Sequence, residues 1–193
     1  MPGIRTASLA LACAFAFPAP GLSAAAAPAS PPTALDGTAI AVGSPAPDFT
    51  LPDQEGKPVS PGDFAGHWLV LYFYPKDFTG GCTLEAHNFQ RDSAKYAAAD
   101  AVIAGVSLDA PGSHKDFCAK EGLRFKLLSD SGGAVSARYG SLNSILGKKL
   151  SARNTFLIDP EGKVARIFLA VKPATHSGEV LAALAELRKP KAP

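Results

Sequence analysis

The sequence predicts an α/β fold: a central mixed β-sheet with helices on both faces. Three observations carry this expectation. Two uninterrupted apolar runs, Trp68 to Tyr74 and Ala101 to Leu108, have the mark of strands buried on both faces. Each run is followed by a helical stretch, Thr83 to about Ala99 and Ser113 to Glu121. Farther on, Thr155 to Ile158 and Val164 to Ala170 flank Asp159-Pro160-Glu161-Gly162, a strong turn signal, so this part reads as a hairpin. Strand, helix, strand, helix, hairpin and a last helix is an α/β order, with the hairpin supplying the antiparallel part of the sheet. The 193 residues suit one domain with an extension, and 47% hydrophobic against 19% charged excludes a wholly disordered chain. A formal charge of +2 is too small an excess for a nucleic-acid binder.

The first segment reads as an address. Arg5 is the only charge before Asp36, an apolar run follows from Ala7 to Phe17, and Ala24 to Ala27 offers small-residue cleavage sites. That order is the order of a secretory signal peptide, expected over residues 1–27. The alternative is an Ala/Pro tail without structure. The apolar run is shorter than the ~20 residues a spanning helix needs, and no later segment reads as one. The expectation is an exported, periplasmic protein. Cys13 lies inside the apolar run, and either it leaves with the signal or it is a lipid acceptor; export without an anchor is the expectation. Residues 28–42, rich in Pro, Ala, Ser and Thr, read as a flexible linker. The folded domain is expected over residues 43–193.

Within the domain, Phe49-Thr50-Leu51 and Lys57-Pro58-Val59 flank Asp53 to Gly56 and suggest a small hairpin. Pro75 ends the first long strand. In the helix after it, Ala86, Phe89, Tyr96 and Ala97 share a face, with Glu85, Gln90, Arg91 and Lys95 left for solvent. Gly122 stops the second helix, Ser131 to Tyr139 suggests a further short one, and Glu179 to Leu187 is amphipathic. The thioredoxin-like fold has this arrangement, with its reactive cysteine where the first core strand turns into a helix.

Cys82 stands at that turn. Free backbone N–H groups and the helix dipole favour an anion there, and the thiolate is the nucleophilic form of cysteine. Thr79, three residues earlier, can aim its hydroxyl at the sulfur or its target. Gly80 and Gly81 let the backbone approach a small substrate. The competing reading is a small buried hydrophobe, as for most free cysteines; the loop chemistry of Asp77-Phe78-Thr79-Gly80-Gly81 fits it poorly.

The segment Tyr72-Phe73-Tyr74-Pro75-Lys76-Asp77-Phe78-Thr79-Gly80-Gly81-Cys82-Thr83-Leu84-Glu85-Ala86 resembles the peroxidatic-cysteine segment of peroxiredoxins, in the bacterioferritin comigratory protein or PrxQ branch. The resemblance extends to Ala46-Pro47-Asp48-Phe49-Thr50-Leu51, Ser107-Leu108-Asp109, Leu127-Leu128-Ser129-Asp130 and Arg153-Asn154-Thr155-Phe156-Leu157-Ile158-Asp159. It implies a thiol-dependent peroxidase of thioredoxin-like fold. Cys82 would attack a hydrogen peroxide or organic hydroperoxide, Thr79 and Arg153 would hold the peroxide oxygens, and Pro75 would shield the resulting sulfenic acid. Glu85 is expected to be structural, as a hydrogen-bond partner of the loop. Gly80 stands where the branch usually has Pro.

The resemblance also bears on the second cysteine. The slot five residues after Cys82, used for resolution in one form of the branch, holds His87. In another form the resolving cysteine lies on the next helix, which His114 to Gly122 resembles, so the resemblance assigns Cys118 and an intramolecular Cys82–Cys118 disulfide. The alternative is a packing cysteine in a one-cysteine enzyme. The implied partners are a peroxide and a thioredoxin-like dithiol reductant, with no nucleic acid, membrane, cofactor or metal, in a monomer. Two rivals remain. An exported thiol–disulfide oxidoreductase needs C-x-x-C, but position 79 is Thr. A metal carrier would use Cys82, His87, His114 and Cys118. Otherwise the four histidines, His67, His87, His114 and His176, are expected on the surface.

Overall fold

A computed structural model describes residues 40–145 and 147–189, with residue 3 besides. The expected signal peptide, Cys13 and most of the linker lie outside the described residues. Two short strands, β1 (Leu51–Pro52) and β2 (Pro58–Val59), form the expected small hairpin. The long strands follow as β3 (Trp68–Phe73) and β4 (Ala101–Ser107), with helices α1 (Gly80–Arg91) and α2 (Ser93–Ala98) between them. Next come α3 (Pro111–Glu121), β5 (Lys126–Ser129) and α4 (Ala134–Arg138). The hairpin β6 (Leu142–Ile145) and β7 (Lys148–Ser151) precedes β8 (Thr155–Ile158), β9 (Val164–Phe168) and α5 (His176–Leu187). The main sheet has the order β5-β4-β3-β8-β9, with β3, β4 and β5 parallel and β8 and β9 antiparallel. This is the mixed sheet expected. Among the described residues no helix is long and apolar enough to cross a membrane.

The central strand explains why its sequence shows no alternation. Val70 and Tyr72, with Tyr74 just beyond the strand, enter one apolar cluster, while Leu69, Leu71 and Phe73 enter another on the opposite face. The first cluster takes Ala86 and Phe89 of α1, Tyr96 of α2, Phe117 of α3, and Val180 and Leu184 of α5. The second takes Val135 of α4, Tyr139 after it, and Phe49, Leu51 and Val59 from the β1–β2 region. Helices therefore lie on both faces. Gly105 in β4 pairs with Tyr72 in register, and a Cβ there would sit 2.7 Å from the Tyr72 ring. The glycine thus lets the aromatic lie flat between strand and helix.

Several expectations are corrected. The single helix from Thr83 to Ala99 begins earlier, at Gly80, and breaks at Asp92. The Asp92 carboxylate at the break is buried and accepts from the side chains of Arg91, Lys95 and Ser177. These contacts, Arg91 foremost, hold its carboxyl well below the usual range. Helix α5 starts one turn before the expected Glu179. Strands β5, β6 and β7 have no counterpart in the sequence reading.

Two histidines are core residues, not surface ones: His114 and His176 are fully buried. His176 Nε2 and Thr155 Oγ1 are 2.8 Å apart, tying α5 to β8, with Phe89 and Phe168 edge-on to the imidazole. Burial, only partly opposed by Glu179, pushes its pKa down to about 4.

Candidate active site

The loop from Tyr74 to Thr79 carries the chain from β3 into α1, and a buried carboxylate shapes it. Asp77 donates its backbone N–H to Asp109 Oδ2 at 2.9 Å. Its own carboxylate accepts from Tyr74 Oη and Ser113 Oγ, each at 2.7 Å, and pairs with His114 Nδ1 at 2.9 Å. Burial alone would raise this carboxyl; His114, Ser113 and Tyr74 outweigh it and hold the group below its ordinary pKa. Phe78 follows with φ 59°, a left-handed conformation that costs a bulky residue about 1–2 kcal/mol. Its ring rests edge-on against Phe117 at 5.1 Å, with Lys120 Nζ 5.4 Å from its centroid, so α3 holds the strained residue in place.

Thr79 is the N-cap residue of α1, in extended conformation. Its hydroxyl donates to the Lys76 carbonyl at 3.0 Å rather than to the sulfur, which corrects the simplest expectation for it. The first intrahelical bond runs from the Thr83 N–H to the Thr79 carbonyl, so the amides of Gly80, Gly81 and Cys82 precede the helix ladder. Cys82 is therefore the third residue of α1. It is 1% exposed and belongs to the cluster of Tyr72, Tyr74 and Phe117.

Arg153, just ahead of β8, reaches this sulfur. Its Nη2 donates to Cys82 Sγ at 3.2 Å and its Nη1 to Glu85 Oε2 at 2.7 Å. The antiparallel pairing of β8 with β3, Tyr72 against Thr155, brings Arg153 to the end of the strand that leads to Cys82. Glu85 lies three residues after Cys82 on the same helix face. Its partner is Arg153, not the loop, so it orients the guanidinium. Glu85 is buried with Oε1 unpartnered, and burial raises its pKa to about 7 even though Arg153 pulls the other way. Gly81 is required for a reason other than substrate approach: a Cβ there would lie 2.8 Å from Arg153 Nη2. Gly80 faces open space.

Pro75 and Arg153 line a cavity of about 350 Å³ whose other walls include Leu150, Ala152, Ala170 and Val171. The β6–β7 hairpin, which the sequence did not reveal, thus supplies part of the approach to the arginine. Cys118 sits in α3, half-buried, against the same apolar cluster as Cys82. Both cysteines are free thiols. Burial first, and then the nearby negative charges of Asp77 and Glu55, push the Cys118 thiol up to about 11. The residues expected for a metal carrier are divided between other partners: His114 pairs with Asp77, and His87 with Glu121 at 2.9 Å.

The AhpC/TSA family profile matches residues 42–167, the span that holds Pro75, Thr79, Cys82, Cys118 and Arg153. The chain belongs to the AhpC/TSA family. It is 45% identical over 124 residues to a peroxiredoxin Bcp of Xanthomonas campestris, covering 62% of this chain and 78% of that one. Among solved structures it is similar to peroxidoxin BcpB of Mycobacterium tuberculosis, with TM-score 0.73 and 33% identity over 78% of this chain and 99% of that one. It is also similar to the X. campestris bacterioferritin comigratory protein, studied for its alkyl peroxide reduction activity. There the TM-score is 0.69, with 39% identity over 73% of this chain and 92% of that one. These relatives are peroxiredoxins of the Bcp and Q type, and this AhpC/TSA chain is a thiol-dependent peroxidase of thioredoxin-like fold. Asp77 and His114 are site-adjacent residues whose pairing the sequence reading does not contain; it offers His114 only as a metal-carrier ligand or a surface residue. Asp77 stood inside the resembling segment, but only the fold brings the histidine to it.

Proposed function

We propose that Cys82 is the peroxidatic cysteine and that Arg153 and Thr79 position the peroxide before it. The observation that carries this reading is the 3.2 Å contact from Arg153 Nη2 to the Cys82 sulfur at the start of α1. A guanidinium keeps its charge and its fixed donors, so it supports the thiolate first and the oxygen that gains charge next. The Thr79 donor is engaged with Lys76, which leaves its oxygen free to accept from the peroxide O–H. The thiolate attacks the terminal oxygen and the O–O bond breaks. The departing alkoxide or hydroxide takes up a proton, and Cys82 becomes a sulfenic acid. Pro75 keeps water from that species. The apolar walls of the neighbouring cavity suit the carbon chain of an organic hydroperoxide as well as hydrogen peroxide.

In the second half-reaction the Cys118 sulfur attacks Cys82, an S–S bond replaces the S–O bond, and water leaves. An external dithiol of thioredoxin type then reduces the disulfide. A resolving group in the same chain requires no second copy, so the working unit is a monomer. Arg5, the Ala7–Phe17 run and the Ala24–Ala27 sites support export to the periplasm and removal of residues 1–27, leaving the linker and the domain from residue 43. Fractionation and N-terminal sequencing test that part; full-length protein held in the cytoplasm would refute it.

The chemical reading is tested with one equivalent of peroxide followed by non-reducing peptide mapping. The expected product is a pair of peptides joined through Cys82 and Cys118. Cys82→Ser is expected to abolish peroxide consumption with the fold intact; retention of a tenth of the wild-type rate would sink the assignment of Cys82. Cys118→Ser is expected to consume one equivalent and then stall with a dithiol donor. With further peroxide it gathers sulfinic acid on Cys82.

A further inference from the structure

The resolving step needs a proton acceptor. Cys118 is held as a neutral thiol, because burial and the charges of Asp77 and Glu55 disfavour its anion, and only the thiolate attacks sulfur readily. Of the groups beside Cys82, Arg153 is a cation and Glu85 is engaged with it, on the helix of Cys82 rather than of Cys118.

His114 is four residues before Cys118 on α3, so the two share a helix face. Helical side chains lean toward the N-terminus, so Cys118 lies one turn from His114, with no hydrogen bond between them in the reduced protein. The imidazole is fully buried and its Nδ1 is 2.9 Å from Asp77 Oδ2. Asp77 is ionised and accepts only, and the Tyr74 hydroxyl proton is committed to Asp77 Oδ1. Nδ1 must therefore carry the hydrogen, and Nε2 of the neutral ring carries a lone pair. That Nε2 is buried and makes no hydrogen bond among the described residues. An unpartnered buried polar atom costs about 1–3 kcal/mol, so a site that keeps one invites a chemical explanation.

We propose that His114, oriented by Asp77, is the general base of the resolving step, taking the thiol proton of Cys118 on Nε2. This deepens, and rests on, the reading of Cys118 as the resolving cysteine. The atoms balance within the pair of cysteines. The Cys118 S–H proton passes to Nε2, and the thiolate attacks the Cys82 sulfur. The S–O bond breaks, and the departing hydroxide takes the proton back from the imidazolium as water. Asp77 is the positioning residue, and its other bonds, to Asp109, Ser113 and Tyr74, tie the first turn of α3 to the Cys82 loop. The other charged and titratable groups around the pair are Glu55 of the β1–β2 turn, which binds Lys115, and the His87–Glu121 pair between α1 and α3.

The test follows disulfide formation by rapid quench after one equivalent of peroxide, from about pH 5 to 10. In the wild type the rate is expected to rise and level off well below the Cys118 titration. His114→Asn keeps a donor for Asp77 but has no base. It is expected to form the disulfide at least about tenfold more slowly at neutral pH, since a general base contributes roughly 10²–10⁴-fold. Its rate should climb with pH until it meets the wild type in alkali. An equal slowing at every pH would make His114 an anchor only and overturn the proposal, as would no slowing. Should His114→Asn fail to fold, the wild-type profile decides alone: a rate climbing in proportion to hydroxide across the whole range overturns the proposal. Absence of the linked Cys82–Cys118 peptide in wild type would overturn the resolving assignment itself, which the peptide map reports separately from the rates.

Discussion

Gly81 and Arg153 share one volume: a Cβ on Gly81 would lie 2.8 Å from Arg153 Nη2, the nitrogen that reaches the Cys82 sulfur. The glycine is inside α1 and has an ordinary helical sign of φ, so its role here is space rather than conformational freedom. Gly81→Ala is expected to fold, because the atom it meets is the end of a long side chain. The guanidinium must then leave the sulfur. Stopped-flow measurement of peroxide reduction should show a loss of about fivefold or more, in keeping with partial loss of a charge-assisted bond worth roughly 1.5–3 kcal/mol.

Arg153→Ala removes the same contact outright. A rate loss of about tenfold or greater is expected from the ~1.5–3 kcal/mol of one such bond. Arg153→Lys is expected to fall between wild type and Ala, because one ammonium cannot span both Cys82 and Glu85 as the planar fork does. Equal rates for Lys and wild type would show that charge alone suffices.

Glu85 makes stability depend on pH with an unusual sign. Its folded pKa, about 7, lies above the ordinary 4.5, so between these values the folded protein binds more protons than the unfolded one. Its contribution is therefore greatest below about pH 4.5 and declines as pH rises through 7. Glu85→Gln fixes the neutral form. Relative to wild type it should gain stability between pH 5 and 8, by on the order of 1–3 kcal/mol at 1.36 kcal/mol per pKa unit. Urea titrations of both proteins at the two pH values measure this. A constant difference would mean that Glu85 is ionised throughout.

Gly80 occupies the first position of α1, after Thr79 at φ −92° and ψ 142°. Proline suits such a position: its missing N–H is not needed there, and the preceding residue already has the extended conformation that proline demands. A side chain at 80 would also meet open space. Gly80→Pro is expected to raise stability by about 0.4–1 kcal/mol through the unfolded chain. A melting temperature below that of the wild type would show that the loop needs the glycine.

The strands and helices that surround Cys82 were legible in the sequence because they are long and strongly patterned: Trp68 to Tyr74 and Ala101 to Leu108 announce buried strands without further help. The elements that were missed are short. β5 is four residues buried on one side of β4, and the β6–β7 hairpin is a polar ribbon outside the main sheet. Neither has a period long enough to read. Asp92, at the helix break, is bonded to Ser177, 85 positions away, a contact that cannot be seen locally. The same is true of the site. Cys82, Thr79 and Pro75 were adjacent in the sequence and stood out together. The Glu85–Arg153 pair and the Asp77–His114 pair exist only after the sheet and α3 have assembled, so the sequence alone points Glu85 to the loop and His114 to a metal or the surface.

The burial of His176 gives the fold a property that Glu85 alone would deny it. An imidazole whose folded pKa is about 4, against an ordinary 6.5, must gain a proton on unfolding in weak acid, so its contribution to stability grows with rising pH across that interval. Glu85 acts in the opposite direction between 4.5 and about 7. In the range that the two share, one group releases a proton on unfolding and the other takes one up. The net exchange with solvent from this pair is close to zero. The aspartates held below their ordinary range, Asp53, Asp77 and Asp92, add their slope only toward stronger acid. His176 and Glu85 together therefore leave little net slope in stability between about pH 4.5 and 6.5. The cancellation is concealed in the wild type and becomes visible only when one of its two members is replaced.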